Sequence, residues 1–190
     1  SDRARIRRTV IASGPLRILL VGFMGSGKST VGAELAARLG WRFVDTDDLV
    51  ERDQGLLIEQ IFSTLGEARF RELEHEVMQA LLQQEQLVVA SGGGWAASPG
   101  RLSDLGAGAT TVWLRVSAEE AVRRAQAQSH DRPLLRRTDA LRAARELLLL
   151  RTPLYAKSQY EVDTEGFSVE DVTIRVMELL GLTGPTTETE

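Results

Sequence analysis

Residues 16–30, LRILLVGFMGSGKST, restrict what this chain can fold into more than any other stretch. An apolar run at 18–21 enters a turn holding Gly22, Gly25 and Gly27. The turn leads through Lys28, Ser29 and Thr30 into a segment of helical periodicity, with Val31, Leu35, Ala36 and Leu39 on one face and Gly40 at its end. G-x-x-x-x-G-K-S between a strand and a helix is a phosphate cradle. Glycines let successive N–H groups point at one anion, and the start of the helix adds partial positive charge. The candidate nucleotide contacts are therefore the backbone of Gly25, Ser26 and Gly27 with Lys28, Ser29 and Thr30. In this pattern Lys28 reaches the β- and γ-phosphates of a nucleotide such as ATP, and Ser29 helps to hold Mg²⁺. A glycine turn without a ligand does not account for strand, spacing, Lys-Ser pair and helix coinciding.

Four further strands are predicted at 41–44, 87–90, 110–115 and 160–162. Between them lie helical patterns at 58–65, ending at Gly66, and at 67–84, 118–128 and 138–150. Ser98 and Pro99 suggest one more helix, ending at 106–109, and Ser168 with Asp171 forms a capping box for a last helix reaching 180. Alternation of this kind implies an α/β fold: a doubly wound, five-stranded parallel sheet flanked by helices. The glycine and charge clusters all fall at strand carboxyl ends, so one rim of the sheet carries the chemistry. Asp45, Thr46, Asp47 and Asp48 follow the second strand, and two readings stay open for them: ligand-binding carboxylates, or an acidic helix start. Gly92, Gly93 and Gly94 follow the third strand, where a close-approaching ligand is the natural reason for them. Arg71 and Glu74 are i,i+3 neighbours, for which an ion pair on a solvated face is the ordinary reading. The arginine-dense connection at about 126–138 suits a mobile lid or an exposed loop. His75 receives no role.

At 190 residues the chain is sized for one domain. Residues 16–181 are expected to form it, behind a basic extension at 1–15 and ahead of a disordered tail at 182–190. The extension, with Arg3, Arg5, Arg7 and Arg8, reads as a solvated tail or the remnant of a fusion. A net charge of −4 argues against nucleic acid as the main partner. The absence of cysteine removes disulfide and thiolate chemistry. No apolar run reaches membrane-spanning length, so no membrane partner is expected, and a cytoplasmic monomer is the expectation.

Taken together, GFMGSGKST, DTD at 45–47, IFSTLGEARFRELE, SGGG at 91–94, RPLL at 132–135 and RTPLY at 151–155 resemble shikimate kinases. These belong to the nucleoside-monophosphate-kinase-like group of P-loop phosphotransferases, and the likeness runs over about 16–180. It implies an ATP- and Mg²⁺-dependent enzyme that phosphorylates the 3-hydroxyl of shikimate, a substrate of aromatic amino-acid biosynthesis. Matched residue by residue, Asp47 binds the acceptor hydroxyls and assists removal of the attacking proton. Arg71 and Arg151 grip the acceptor carboxylate, Gly92, Gly93 and Gly94 line its pocket, and Glu74 orients the arginines. Arg132 on the lid reaches acceptor and transferring phosphate, Arg124 packs on adenine, and Asp45 supports Mg²⁺ beside Ser29. Trp95 is larger than the resemblance leads one to expect and either reshapes the pocket wall or packs in the core. Two other readings compete: a shikimate-kinase-like sensing domain of a transcriptional regulator, and a kinase for another small hydroxylated acid such as gluconate.

Overall fold

The computed structural model describes residues 17–106, 109–128 and 137–182. In chain order the elements are β1 (Arg17–Val21), α1 (Lys28–Leu39), β2 (Arg42–Asp45), α2 (Thr46–Gln54), α3 (Ile58–Leu81) and β3 (Leu87–Ala90). They continue with β4 (Ala109–Arg115), α4 (Ala118–Gln128), α5 (Arg137–Tyr155), β5 (Tyr160–Asp163) and α6 (Val169–Leu179). The five strands form one sheet in the order β2-β3-β1-β4-β5, and every paired neighbour is parallel. The connections leaving β1 run to one side of the sheet and those leaving β3 return to the other. That reversal opens a crevice at the carboxyl ends of the central strands.

The period-two alternation of each buried strand sorts its side chains onto two faces. Ile18, Leu20, Val88, Val112 and Leu114 join Val31 and Leu35 of α1 and Val172 and Val176 of α6 in one layer. Leu19, Val21, Val89 and Trp113 face the other way, onto Met78 and Leu81 of α3, Ala121 of α4 and Ala144 and Tyr155 of α5. Gly32 lets α1 lie close to the sheet: a Cβ there would stand 2.5 Å from the Phe43 ring. Leu182 is buried in the first layer, so the folded region extends past the expected boundary at 181. A separate apolar cluster, Val50, Ile61, Phe70 and Leu73, fastens α2 to α3 beside the rim of the sheet.

Two expectations change. Residues 96–106 form turns with one turn of 3-10 helix at Ser103–Leu105, not a helix capped by Ser98, because the apolar spacing there never spans a full helical face. α5 does not end near 150 but runs through Pro153 to Tyr155; a proline that close to the end interrupts little of the helical hydrogen-bond ladder. The break expected at Gly66 is present as a kink inside α3, with φ 84° and ψ 163°.

Candidate active site

The loop from β1 to α1 is built as the motif requires. Gly22 takes φ 145°, and a Cβ there would meet the Leu114 carbonyl oxygen at 2.4 Å, so only glycine lets the loop seat against β4. α1 starts at Lys28 behind Gly27, with no side-chain cap and no acidic residue in its first turn, which leaves its N–H groups open to an anion. Lys28 Nζ donates to the carbonyl oxygens of Gly22 and Phe23, both at 2.9 Å. Burial lowers its pKa to about 8, against the opposing pull of Asp47 and Asp45.

A cavity of about 790 Å³ opens over this loop, lined by Gly25 to Val31 and, from the far side, by α4 and the β5–α6 connection. Arg124 crosses it, donating to the carbonyl oxygen of Gly25 at 3.0 Å and to that of Thr164 at 3.0 Å. Glu120, one helical turn earlier, takes a 2.7 Å bond from Arg124 Nε. The arginines at 123 and 124 hold the Glu120 carboxyl down to about 2.

The 45–48 cluster starts a helix, and the same carboxylate that caps it also faces the phosphate loop. Asp45 caps α2, its Oδ1 accepting from the Asp47 N–H at 3.0 Å, while its Oδ2 accepts from the Ser29 hydroxyl at 2.5 Å. One carboxylate thus starts a helix and faces the phosphate loop. Two adjacent hard oxygens suit Mg²⁺, which takes few protein ligands and completes its shell with water and phosphate. Among the described residues no cluster of three acidic or histidine side chains offers a denser metal site.

Beyond β3 the three glycines form a wall on which four side chains converge. A Cβ on Gly92 would lie 2.3 Å from Glu74 Oε1 and 2.6 Å from Asp47 Oδ1. One on Gly94 would lie 2.2 Å from an Arg71 nitrogen, and one on Gly93 would lie 3.4 Å from an Arg151 nitrogen and 3.5 Å from the Gly22 carbonyl oxygen. The run therefore abuts the carboxylates, both guanidinium groups and the phosphate loop. Thr46 accepts the Gly92 N–H at 2.9 Å, and Tyr155 donates to the Gly93 carbonyl oxygen at 2.5 Å.

Glu74 does not lie on a solvated face. It is 1% exposed, with Oε2 bonded to Arg71 at 2.6 Å and Oε1 without a hydrogen-bond partner among the described residues. Burial raises its pKa. Asp47 Oδ1 is also buried with no partner among the described residues, and burial, then Glu74 and Asp45, raise its pKa to about 6. The pocket combines acceptors able to take hydroxyl protons with guanidinium groups able to take a carboxylate.

Comparison with known proteins decides what such a pocket belongs to. The shikimate kinase family model matches residues 24–180. The chain belongs to the shikimate kinase family. A shikimate kinase of Synechococcus sp. (strain RCC307) is 42% identical over 163 residues, 86% of this chain and 83% of the relative. The solved shikimate kinase from Acinetobacter baumannii in complex with shikimate superposes with a TM-score of 0.78 at 34% identity, covering 88% of this chain and 93% of that one. A gluconokinase from Sinorhizobium meliloti shares the fold at a TM-score of 0.59, with 19% identity over 88% of this chain and 92% of its own.

Of the residues expected from sequence, this shikimate kinase fold gathers Gly25, Ser26, Gly27, Lys28, Ser29, Thr30 and Arg124 around the large cavity. It gathers Asp47, Arg71, Gly92, Gly93, Gly94 and Arg151 in the second pocket, with Asp45 between the two. Arg132 and most of the expected lid lie outside the described residues. Trp95 packs in the core, 2% exposed, and does not wall the pocket. Thr46 enters the sequence reading only as a member of the 45–48 cluster with no role of its own, and Thr164 and Glu120 do not enter it. The i,i+4 spacing of Glu120 and Arg124 was a visible signal, whereas nothing local marks the other two.

Proposed function

We propose that this chain transfers the γ-phosphate of ATP to the 3-hydroxyl of shikimate, with Mg²⁺ at Ser29 and Asp45. ATP occupies the cavity over the phosphate loop, its adenine against Arg124. Its triphosphate lies on the amides of residues 25–30, within reach of the Lys28 ammonium. Magnesium, when bound, neutralises phosphate charge. Shikimate occupies the glycine-walled pocket, with its carboxylate on Arg71 and Arg151 and its ring hydroxyls on Asp47. Phosphoryl transfer asks the protein chiefly for alignment and positive charge, which Lys28 and, by its place in the RPLL motif, Arg132 supply. Asp47, poised near neutrality, accepts the proton of the attacking hydroxyl as the O–P bond forms, and ADP leaves.

The observation that carries this reading is the meeting of Asp47, Glu74, Arg71 and Arg151 on three residues without side chains, on one of which a Cβ would lie 3.5 Å from the Gly22 carbonyl oxygen of the phosphate loop. A sensing domain for a different ligand needs no such juxtaposition. ADP release measured with ATP, Mg²⁺ and a panel of shikimate, gluconate and no acceptor tests it. Shikimate-dependent turnover is expected. Gluconate-dependent turnover, or shikimate binding without turnover, would replace the reading with one of its rivals.

A further inference from the structure

Behind the glycine wall lies a recess of about 300 Å³ that the transfer reaction does not use, lined by His75, Gln79, Trp95, Arg101, Asp104 and Leu105. Its floor is polar in an unusual way. Trp95 is 2% exposed, yet among the described residues its indole Nε1–H has no acceptor, and His75 Nδ1 is buried without a partner too. A buried donor without a partner costs stability, and a core tryptophan normally finds an acceptor for its N–H. Arg101 is half-buried at the same recess and forms no ion pair among the described residues. Trp95 and Leu105 are the apolar residues of the lining. Asp104 and Gln79 are exposed at the mouth.

We propose that this recess is a binding site for a small monocarboxylic acid with a flat apolar body. The carboxylate takes the Trp95 N–H and the Arg101 guanidinium, His75 Nδ1 adds a third polar contact, and the body lies against the Trp95 ring and Leu105. Each part of the ligand matches one part of the lining. The two donors suit an acceptor-only head group. The volume lies at the lower limit of small-molecule sites and leaves no room for a nucleotide. The exposed carboxylate of Asp104 at the mouth disfavours a second negative charge, which favours a monoanion over phosphate dianions and dicarboxylates. The site is also wired to its neighbour through the chain: Trp95 follows Gly94, whose position meets Arg71, and His75 follows Glu74, which holds Arg71. Arg101 contributes to the field at the Glu74 carboxyl. A bound acid would therefore sit one residue behind the acceptor pocket without entering it.

Benzoate is the probe, and the readout is the indole Nε1–H resonance of Trp95 in a proton–nitrogen correlation spectrum of ¹⁵N-labelled full chain. It is assigned by its disappearance in Trp95→Phe. The resonance should move saturably with benzoate, and equally well with shikimate present in excess. Arg101→Gln, at a half-exposed position, should weaken the titration about tenfold or more while the rest of the spectrum stays folded. The proposal is overturned if the Trp95 resonance is unmoved by benzoate at tens of millimolar. It is equally overturned if excess shikimate abolishes the shift, or if Arg101→Gln leaves it unchanged. None of these readings depends on turnover, so they stand apart from the acceptor assay.

Discussion

At the scale of single residues, the pocket is a set of charges placed where water would otherwise stabilise them. Arg71 and Arg151 approach the glycine wall from two different helices, so each should hold one side of the acceptor carboxylate. Replacing either with alanine removes a charge-assisted contact of about 1.5–3 kcal/mol, a ten- to hundredfold rise in acceptor KM with ATP KM little altered. Steady-state kinetics with each substrate varied in turn checks it. Asp47 carries a second, opposite consequence. Its folded pKa of about 6 lies above the ordinary value of 3.8, because burial disfavours the charged form. The folded state then binds the proton more tightly than the unfolded chain, so the contribution of Asp47 to stability is present below about pH 4 and lost as pH rises through about 6. Asp47→Asn should accordingly abolish most turnover yet stabilise the fold at pH 7.5 by roughly 1–2 kcal/mol, a gain that shrinks at pH 4.5. Denaturant melts at the two pH values test the sign.

At the scale of elements, the site is assembled by loops that follow strands, each held by a hydrogen bond with no local signature. Thr46 begins α2 and accepts the Gly92 N–H of the β3 loop at 2.9 Å, tying the acidic helix start to the glycine wall. Thr46→Val keeps the shape and strands a buried donor, so it should cost about 1–3 kcal/mol of stability and raise acceptor KM. A urea melt and the acceptor titration read both effects. This pairing also shows where sequence reasoning stops. The phosphate loop could be read from residues 16–30 because motif, strand and helix are contiguous, and the Ser168–Asp171 box predicted the start of α6 for the same reason. The pairing of residue 46 with residue 92 depends on β2 lying beside β3 in the sheet, which no local pattern encodes. Glu74 was misjudged on similar grounds. Its i,i+3 spacing to Arg71 is the same on a wet face or a buried one, and only the packing of α3 against the rim makes it buried.

At the scale of the whole molecule, one parallel sheet separates two apolar layers, and both are anchored by adjacent residues of β1. Loss of either layer exposes the other through the shared strands, so we expect a single unfolding transition. Leu35→Ala on the α1 face and Met78→Ala on the α3 face should each lower that transition by about 2–5 kcal/mol without splitting it. A monomer, as expected from the sequence, would give a midpoint independent of protein concentration. Calorimetry over a range of concentrations examines both points. The five strands and their parallel, doubly wound class are legible in the succession of apolar segments, whereas the strand order is not. The turns at 96–106 were not legible either, because Ser98 and Pro99 announce a helix whether or not an apolar face follows.

The two bonds from Lys28 to the Gly22 and Phe23 carbonyls give that side chain a duty before any nucleotide arrives. It acts as a tie rod across its own loop, keeping an anion-sized hollow standing so that the arriving triphosphate need not mould it. Lys28→Met should therefore do more than stop transfer in a folded protein. Amide hydrogen exchange across 22–27 should quicken as the hollow slackens, while the exchange rates of β3 and β4 stay as they were.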